Sequence, residues 1–158
     1  LIPTGSSATA FNDSRPPGDF AYLYRVKAVF AGGYSDFSNY DLATTVAFTN
    51  EPLVPNVTPI KAAHLTELRR AVRAVRTLAA KGAPAWNYPD PVSSPGQRRA
   101  IYLEDVTDLR TQLDEALLRL DQALGVQSFL KPYPASPALA RNAPVRAAHF
   151  EQIRERVK

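Results

Sequence analysis

The 158-residue chain has no cysteine and no methionine, only two histidines, one tryptophan and seven glycines. The absence of cysteine excludes disulfides, thiolate metal sites, iron–sulfur clusters and a cysteine nucleophile. The absence of methionine is unusual, because a natural reading frame opens with it, whereas this chain opens Leu1-Ile2-Pro3-Thr4-Gly5. The chain is therefore expected to be a piece of a larger, processed protein. Its first residues lack the basic start and apolar core of a secretory leader. No apolar run approaches the ~20 residues of a membrane span. No Gly-rich phosphate loop and no His-Glu-x-x-His occurs. Ser6-Ser7 and Ser93-Ser94 lack a nucleophile-elbow context. Carboxylates are numerous (Asp90, Glu104, Asp105, Asp108, Asp114, Glu115) but form no acid/base pair with a pocket. These absences point away from an enzyme, and no cofactor is expected.

What is present divides into two halves. Hydrophobic residues make up 45% and charged residues 22%, an ordinary folded composition. Nine of the fifteen aromatics lie in residues 1–50, and ten of the fourteen prolines lie between Glu51 and Pro137. Residues 1–50 carry a net charge of −1 and residues 51–158 a net charge of +5. Such a shift marks a domain boundary, giving one unit over 1–50 and a second over 51–158. The fold class expected is α+β.

The first half reads as strands. Ser7–Phe11 is a short one. From Phe20 to Val29, Phe20, Tyr22, Tyr24, Val26 and Ala28 alternate with Ala21, Leu23, Arg25 and Lys27. Period-two alternation rich in aromatics predicts a half-buried antiparallel strand. Gly32-Gly33 predicts the hairpin turn, and Asp41–Phe48 a third strand. Tyr22-Leu-Tyr-Arg-Val-Lys-Ala-Val29, then Gly33, then Ser35 and Ser38, then a Thr/Val strand, resembles the end of a fibronectin type III domain. The resemblance implies three strands of a partial antiparallel β-sandwich. Tyr22 would be the corner tyrosine whose hydroxyl bonds back to the preceding loop. Three strands leave one apolar face and one edge uncovered. The helical half, the missing N-terminal part of the sandwich or a protein partner must cover them.

The second half repeats itself. Helices are predicted over 59–80, with Thr58 as N-cap and Lys81-Gly82 as the stop, over 98–124 closed by Gly125, and over 144–157. Ile60…His64-Leu-Thr-Glu-Leu-Arg69 matches Ile101…Asp105-Val-Thr-Asp-Leu-Arg110 and Val145…His149-Phe-Glu-Gln-Ile-Arg154, at offsets of 41 and 44 residues. Glu51-Pro52, Asp90-Pro91 and Ser136-Pro137 precede the three helices. Pro52, Pro91 and Pro137 thus mark three structural loops, in repeats of about 51–88, 89–134 and 135–158. Helices of this size cannot bury their apolar stripes alone, and three together form a small helical bundle. Trp86, Tyr88, Phe129 and Tyr133 lie in the loops and are expected to plug the seams.

The repeat resembles modules that follow fibronectin type III domains at the C-terminal ends of large secreted bacterial proteins. Through Lys61-Ala-Ala-His64 and Arg146-Ala-Ala-His149 it is also weakly similar to S-layer homology repeats. It lacks their glutamate after the basic-Ala pair and their Gly-rich turn. The likeness would imply a cell-envelope polysaccharide as partner.

Two side-chain sets stand out. His64, Asp105 and His149 occupy the same repeat position. Related by a threefold axis, they would converge as a His–Asp–His set of zinc-type ligands. The plainer alternative, which we favour, is packing, with the imidazoles bonding a neighbouring loop. Lys61, Arg69, Arg73 and Arg76 make the first helix basic, a candidate face for an anionic glycan, lipid headgroups or nucleic acid. The alternative is a solvated face with salt bridges to neighbours. No nucleic-acid module accompanies the charge, so nucleic acid is not the expected partner. Asn12-Asp-Ser14 and Asn56-Val-Thr58 match the glycosylation spacing.

Together these features predict a non-enzymatic C-terminal interaction or anchoring module of a larger secreted or cell-surface protein. The alternatives are a structural subunit of an extracellular assembly, or the accessory tail of a secreted hydrolase whose catalytic part lies elsewhere.

Overall fold

A computed structural model describes residues 13–14, 18–91, 99–135, 139–141 and 143–158. Four short strands precede three helices, so the class is α+β: β1 (Ala21–Tyr24), β2 (Val29–Phe30), β3 (Gly33–Tyr34), β4 (Asp41–Thr44), α1 (Ala62–Leu78), α2 (Leu103–Leu124) and α3 (Ala147–Arg154). The predicted Ser7–Phe11 strand and Pro137 lie outside the described residues.

The strands form one long interrupted hairpin. β1 pairs antiparallel with β4, Ala21 opposite Thr44 and Tyr24 opposite Asp41. β2 pairs with β3, Val29 opposite Tyr34. The strand predicted as continuous from Phe20 to Val29 therefore breaks after Tyr24. In the gap Ser38 Oγ accepts the Val26 N–H (2.9 Å) and Ser35 Oγ accepts the Ala28 N–H (2.8 Å). The Ser38 and Ser35 N–H groups donate to the carbonyls of the same two residues. Tyr24 faces Asp41, Val26 faces Ser38 and Ala28 faces Ser35, so each step holds one extra residue on the returning strand. These are two successive bulges, stabilised by serine hydroxyls. The turn residues are Ala31 and Gly32 rather than Gly32 and Gly33. Gly33 lies at the start of β3 with φ +137°, a backbone that disfavours a Cβ. β4 ends at Thr44, four residues short of the predicted Phe48.

Each helix is shorter than predicted, for one shared reason. The N-caps are Lys61, Tyr102 and Arg146, all extended, with φ/ψ of −117°/159°, −98°/166° and −115°/159°. Thr58 is not the first N-cap, because its hydroxyl accepts the Val54 N–H instead (3.0 Å). The chain then runs extended to Lys61. α2 stops at Gly125 in the left-handed region (φ 65°). α1 stops earlier than Lys81-Gly82, with Ala80 in the left-handed region (φ 53°).

A single apolar cluster joins the helices and the proximal hairpin. Leu65, Leu68, Val72 and Val75 of α1 meet Val106, Leu109, Leu113 and Leu117 of α2, and Phe150 and Ile153 of α3. Leu42 and Val46 join the same cluster, and Ala21, Leu23 and Phe48 pack against it. Leu65, Val106 and Phe150 hold the same place after their N-caps Lys61, Tyr102 and Arg146, and Leu68, Leu109 and Ile153 share another. All six are fully buried. The Glu51–Pro52 peptide bond is cis. Pro52 is exposed, whereas Pro91 is buried. Among the described residues no helix is long and apolar enough to cross a membrane.

Candidate functional site

The three N3 residues each serve their own helix. The first N–H groups of a helix lack intrahelical acceptors, and a side chain at N3 can reach back to the cap residue. His64 Nδ1 accepts the Lys61 N–H (3.2 Å), Asp105 Oδ2 accepts the Tyr102 N–H (2.9 Å), and His149 Nδ1 accepts the Arg146 N–H (3.1 Å). In return the N–H groups of His64, Asp105 and His149 donate to the carbonyls of those same cap residues. The structure therefore does not bring His64, Asp105 and His149 together as ligands. Among the described residues, no group of three or more His, Cys, Asp or Glu is placed to hold a metal. With Nδ1 an acceptor, the His64 ring carries its proton on Nε2, which faces Asn50 Oδ1 at 3.3 Å.

Five residues beyond each N3 position lies an arginine, and each crosses a seam between helices. Arg69 of α1 donates to the Tyr88 carbonyl (2.9 Å), to Asp90 (2.8 Å) and to Asp105 of α2 (2.9 Å), and its guanidinium lies over the Trp86 ring. Arg154 of α3 donates to the carbonyls of Asn50 (3.1 Å) and Thr49 (2.9 Å) and to Glu67 of α1 (3.2 Å), over the Phe48 ring. Arg110 of α2 donates to Gln152 of α3 (2.6 Å), over the Tyr133 ring. In all three the Nε is buried without an acceptor. The seams run α1 to the loop before α2, α2 to the loop before α3, and α3 back to the loop before α1. Phe48, Trp86 and Tyr133 thus play one role in three loops.

The electrostatics follow from this burial. Arg154 is fully buried and Arg69 is 3% exposed. Burial holds Arg110 below the ordinary arginine value and pushes the Tyr133 hydroxyl up to about 12. Burial lowers His64 too, aided by the Arg154 and Lys61 cations and opposed by Glu67. Glu67 accepts from the Thr49 N–H (3.0 Å), from the Thr49 hydroxyl and from Arg154. Asp108, its counterpart in α2, accepts twice from Asn87 (2.8 and 2.7 Å).

The predicted basic face of α1 does not exist as one surface. Lys61 and Arg73 are exposed, but Arg69 and Arg76 are buried. Arg76 donates to the carbonyls of Gly82 (3.0 Å) and Gln112 (3.1 Å) and to Glu115 (2.8 Å). A buried guanidinium whose N–H groups serve internal carbonyls cannot present them to a ligand. The ion-pair partners of Arg69 and Arg76 are Asp90, Asp105 and Glu115. Trp86, Phe129 and Tyr133 pack against the core as expected, while Tyr88 stacks on Tyr102 at 5.1 Å instead. Sequence reasoning missed Arg99, which donates to both Asp105 oxygens (2.6 Å each) and to the Pro89 carbonyl. It also missed Asp121, which accepts the N–H groups of Ser128, Phe129 and Leu130.

The hairpin has the opposite character. Its odd-numbered face packs Ala21 and Leu23 on the helices. Farther out, Arg25 lies over the Phe37 ring and Lys27 over the Tyr34 ring. Its even-numbered face carries stacked rings of Phe20, Tyr22 and Tyr24. On that face Phe20 is 50%, Val26 71% and Phe30 57% exposed. Among the described residues, the Tyr24 hydroxyl bonds back to Asp13 of the upstream segment (3.0 Å). No family model, no curated protein and no solved structure matches this chain.

Proposed function

We propose that the chain is a non-enzymatic interaction or anchoring module of a larger secreted or cell-surface protein. In this reading the hairpin is the closing part of a fibronectin-like sandwich. The helices are three repeats locked head to tail by their arginines. The observation that carries the reading is the even face of the hairpin. The helices cover the other face only at Ala21 and Leu23, and on the even face Phe20, Val26 and Phe30 remain at least half exposed, with Tyr22 and Tyr24 half-buried. A sheet face of this apolar character normally packs on a second sheet. The helical body, by contrast, spends Arg69, Arg76 and Arg154 on internal partners, so these three supply rigidity rather than a charged docking patch. An upstream sandwich half or a protein partner would complete the face, and an envelope polysaccharide is the further partner the repeat suggests.

Envelope fragments from the producing cell, sedimented with the purified chain, test this. The wild type is expected in the pellet, and the double variant V26D/F30D in the supernatant with an unchanged melting temperature. A wild type that stays in the supernatant, or a double variant that pellets equally, overturns the reading. The second reading is a subunit of an extracellular assembly. It is favoured by the sheet edges, since each described sheet has only two strands and their outer backbone groups can accept an added strand.

A further inference from the structure

His64 sits where the first and last helices meet. Its ring is fully buried. Nδ1 accepts the backbone N–H of Lys61 and Nε2 faces Asn50 Oδ1. Arg154 of α3 binds the carbonyls of Asn50 and Thr49 on the same loop and closes on Glu67 of α1. One imidazole thus touches the start of α1 and the loop that α3 grips. The Nδ1 contact requires the neutral ring, whereas the Nε2 contact requires only the proton on Nε2.

We propose that His64 makes this seam a latch that acid releases. A proton added at Nδ1 turns the acceptor into a donor facing the donor N–H of Lys61, so the cap bond is lost. It also places a buried cation at the positive end of α1. The charged groups around the ring are Lys61 and Glu67 of α1 and Arg154 of α3; the loop contributes uncharged Asn50. Two of the three charges are cations. The one anion, Glu67, is already bound by Thr49 and Arg154. The balance therefore opposes a second positive charge, in agreement with the lowered His64 value. The sign follows from linkage. The unfolded or opened chain takes up the proton near the ordinary histidine value of about 6.5, while the closed state resists it. The latch is thus at full strength above that value and weakens as pH falls below it, by up to about tenfold in the closed-to-open ratio per pH unit. In the middle repeat the same task falls to Asp105.

The test follows the His64 ring by NMR between pH 7.5 and 5. It also follows amide protection of Lys61, His64 and α3, corrected for intrinsic exchange, in the wild type and in His64→Asn. An asparagine oxygen can accept the same N–H without titrating. His149 is present in both proteins, so their difference reads His64 alone. The wild-type ring is expected to titrate below 6.5, and its protection to fall with pH while H64N keeps its own. A native ring that titrates at or above 6.5, or an H64N protein that loses protection as steeply, overturns the proposal. Should H64N fail to fold, the wild-type ring titration decides alone.

Discussion

The helical body and the hairpin solve opposite problems. In the body, charged side chains go inside: Arg69, Arg154 and Asp105 are buried and bonded across seams, and His64 is buried closing its own helix cap. In the hairpin, apolar side chains stay outside: Val26, Val29, Phe30 and Tyr34 are all more than half exposed. Buried charges need fixed partners, so they lock the helices in one arrangement. The contrast separates a part whose charged side chains are paired across packed helices from a part whose apolar side chains are exposed among the described residues.

The largest test of that contrast is Arg154→Ala. It strips the carbonyls of Asn50 and Thr49 of the Arg154 donor and leaves buried Glu67 without its ion-pair partner. A loss of about 3–5 kcal/mol is expected from a urea denaturation curve. A loss below about 1 kcal/mol, the range of surface pairs, would place Arg154 outside the lock.

Next comes Asp121→Asn. Burial pushes the Asp121 carboxyl up, but the N–H groups of Leu130, Phe129 and Ser128 outweigh that and hold it below the ordinary carboxylate value. Its stabilisation is therefore present above about pH 3.9 and lost as pH falls through the lower folded value. The variant should lose about 1–3 kcal/mol at neutral pH, read by denaturation, and should lack that acid step.

A smaller gain is expected from Ala80→Gly. Ala80 ends α1 in the left-handed region, which costs a non-glycine residue about 1–2 kcal/mol, against the entropic cost of about 0.5–1 for glycine. The melting temperature should rise, for a net gain of about 0.5–1 kcal/mol. The smallest effect belongs to the hairpin. Val26→Thr or Phe30→Thr should leave stability within about 0.5 kcal/mol, because these side chains bury little within the chain. A large loss by thermal melting would mean that the even face is already covered.

Much of the body was legible beforehand. The internal match set His64, Asp105 and His149 at equivalent positions and, in the same register, Leu65/Val106/Phe150 and Leu68/Leu109/Ile153, which the structure buries. The helix starts were placed too early, because Thr58 and Pro59 carry the usual start signals. A side chain at N3 that closes the cap from inside is a weaker pattern when it is histidine. Phe48 was assigned to a strand, since nothing local distinguishes it from the Thr/Val run before it. Its role appears only when Arg154, more than a hundred residues later, lies over its ring. Arg69 and Arg76 were read as a surface because charge on a helix is usually solvated; burial by a neighbouring helix cannot be read from periodicity alone. In the hairpin the alternation of faces was correct. Which face meets the helices was not available from a pattern that is apolar on both sides near Ala21–Tyr24.

The sequence by itself determined the α+β class and, among the described residues, the order of strands before helices. These depend on local propensity and on periods of two and 3.6, which neighbouring residues express. Only the tertiary structure decided that the arginines point across the seams rather than to solvent. It alone decided that the N3 residues cap helices rather than gather as ligands, and that the hairpin turns its even face outward. Each of these depends on a partner many residues away. A hydrogen bond or a buried ion pair forms only where packing has already removed the water.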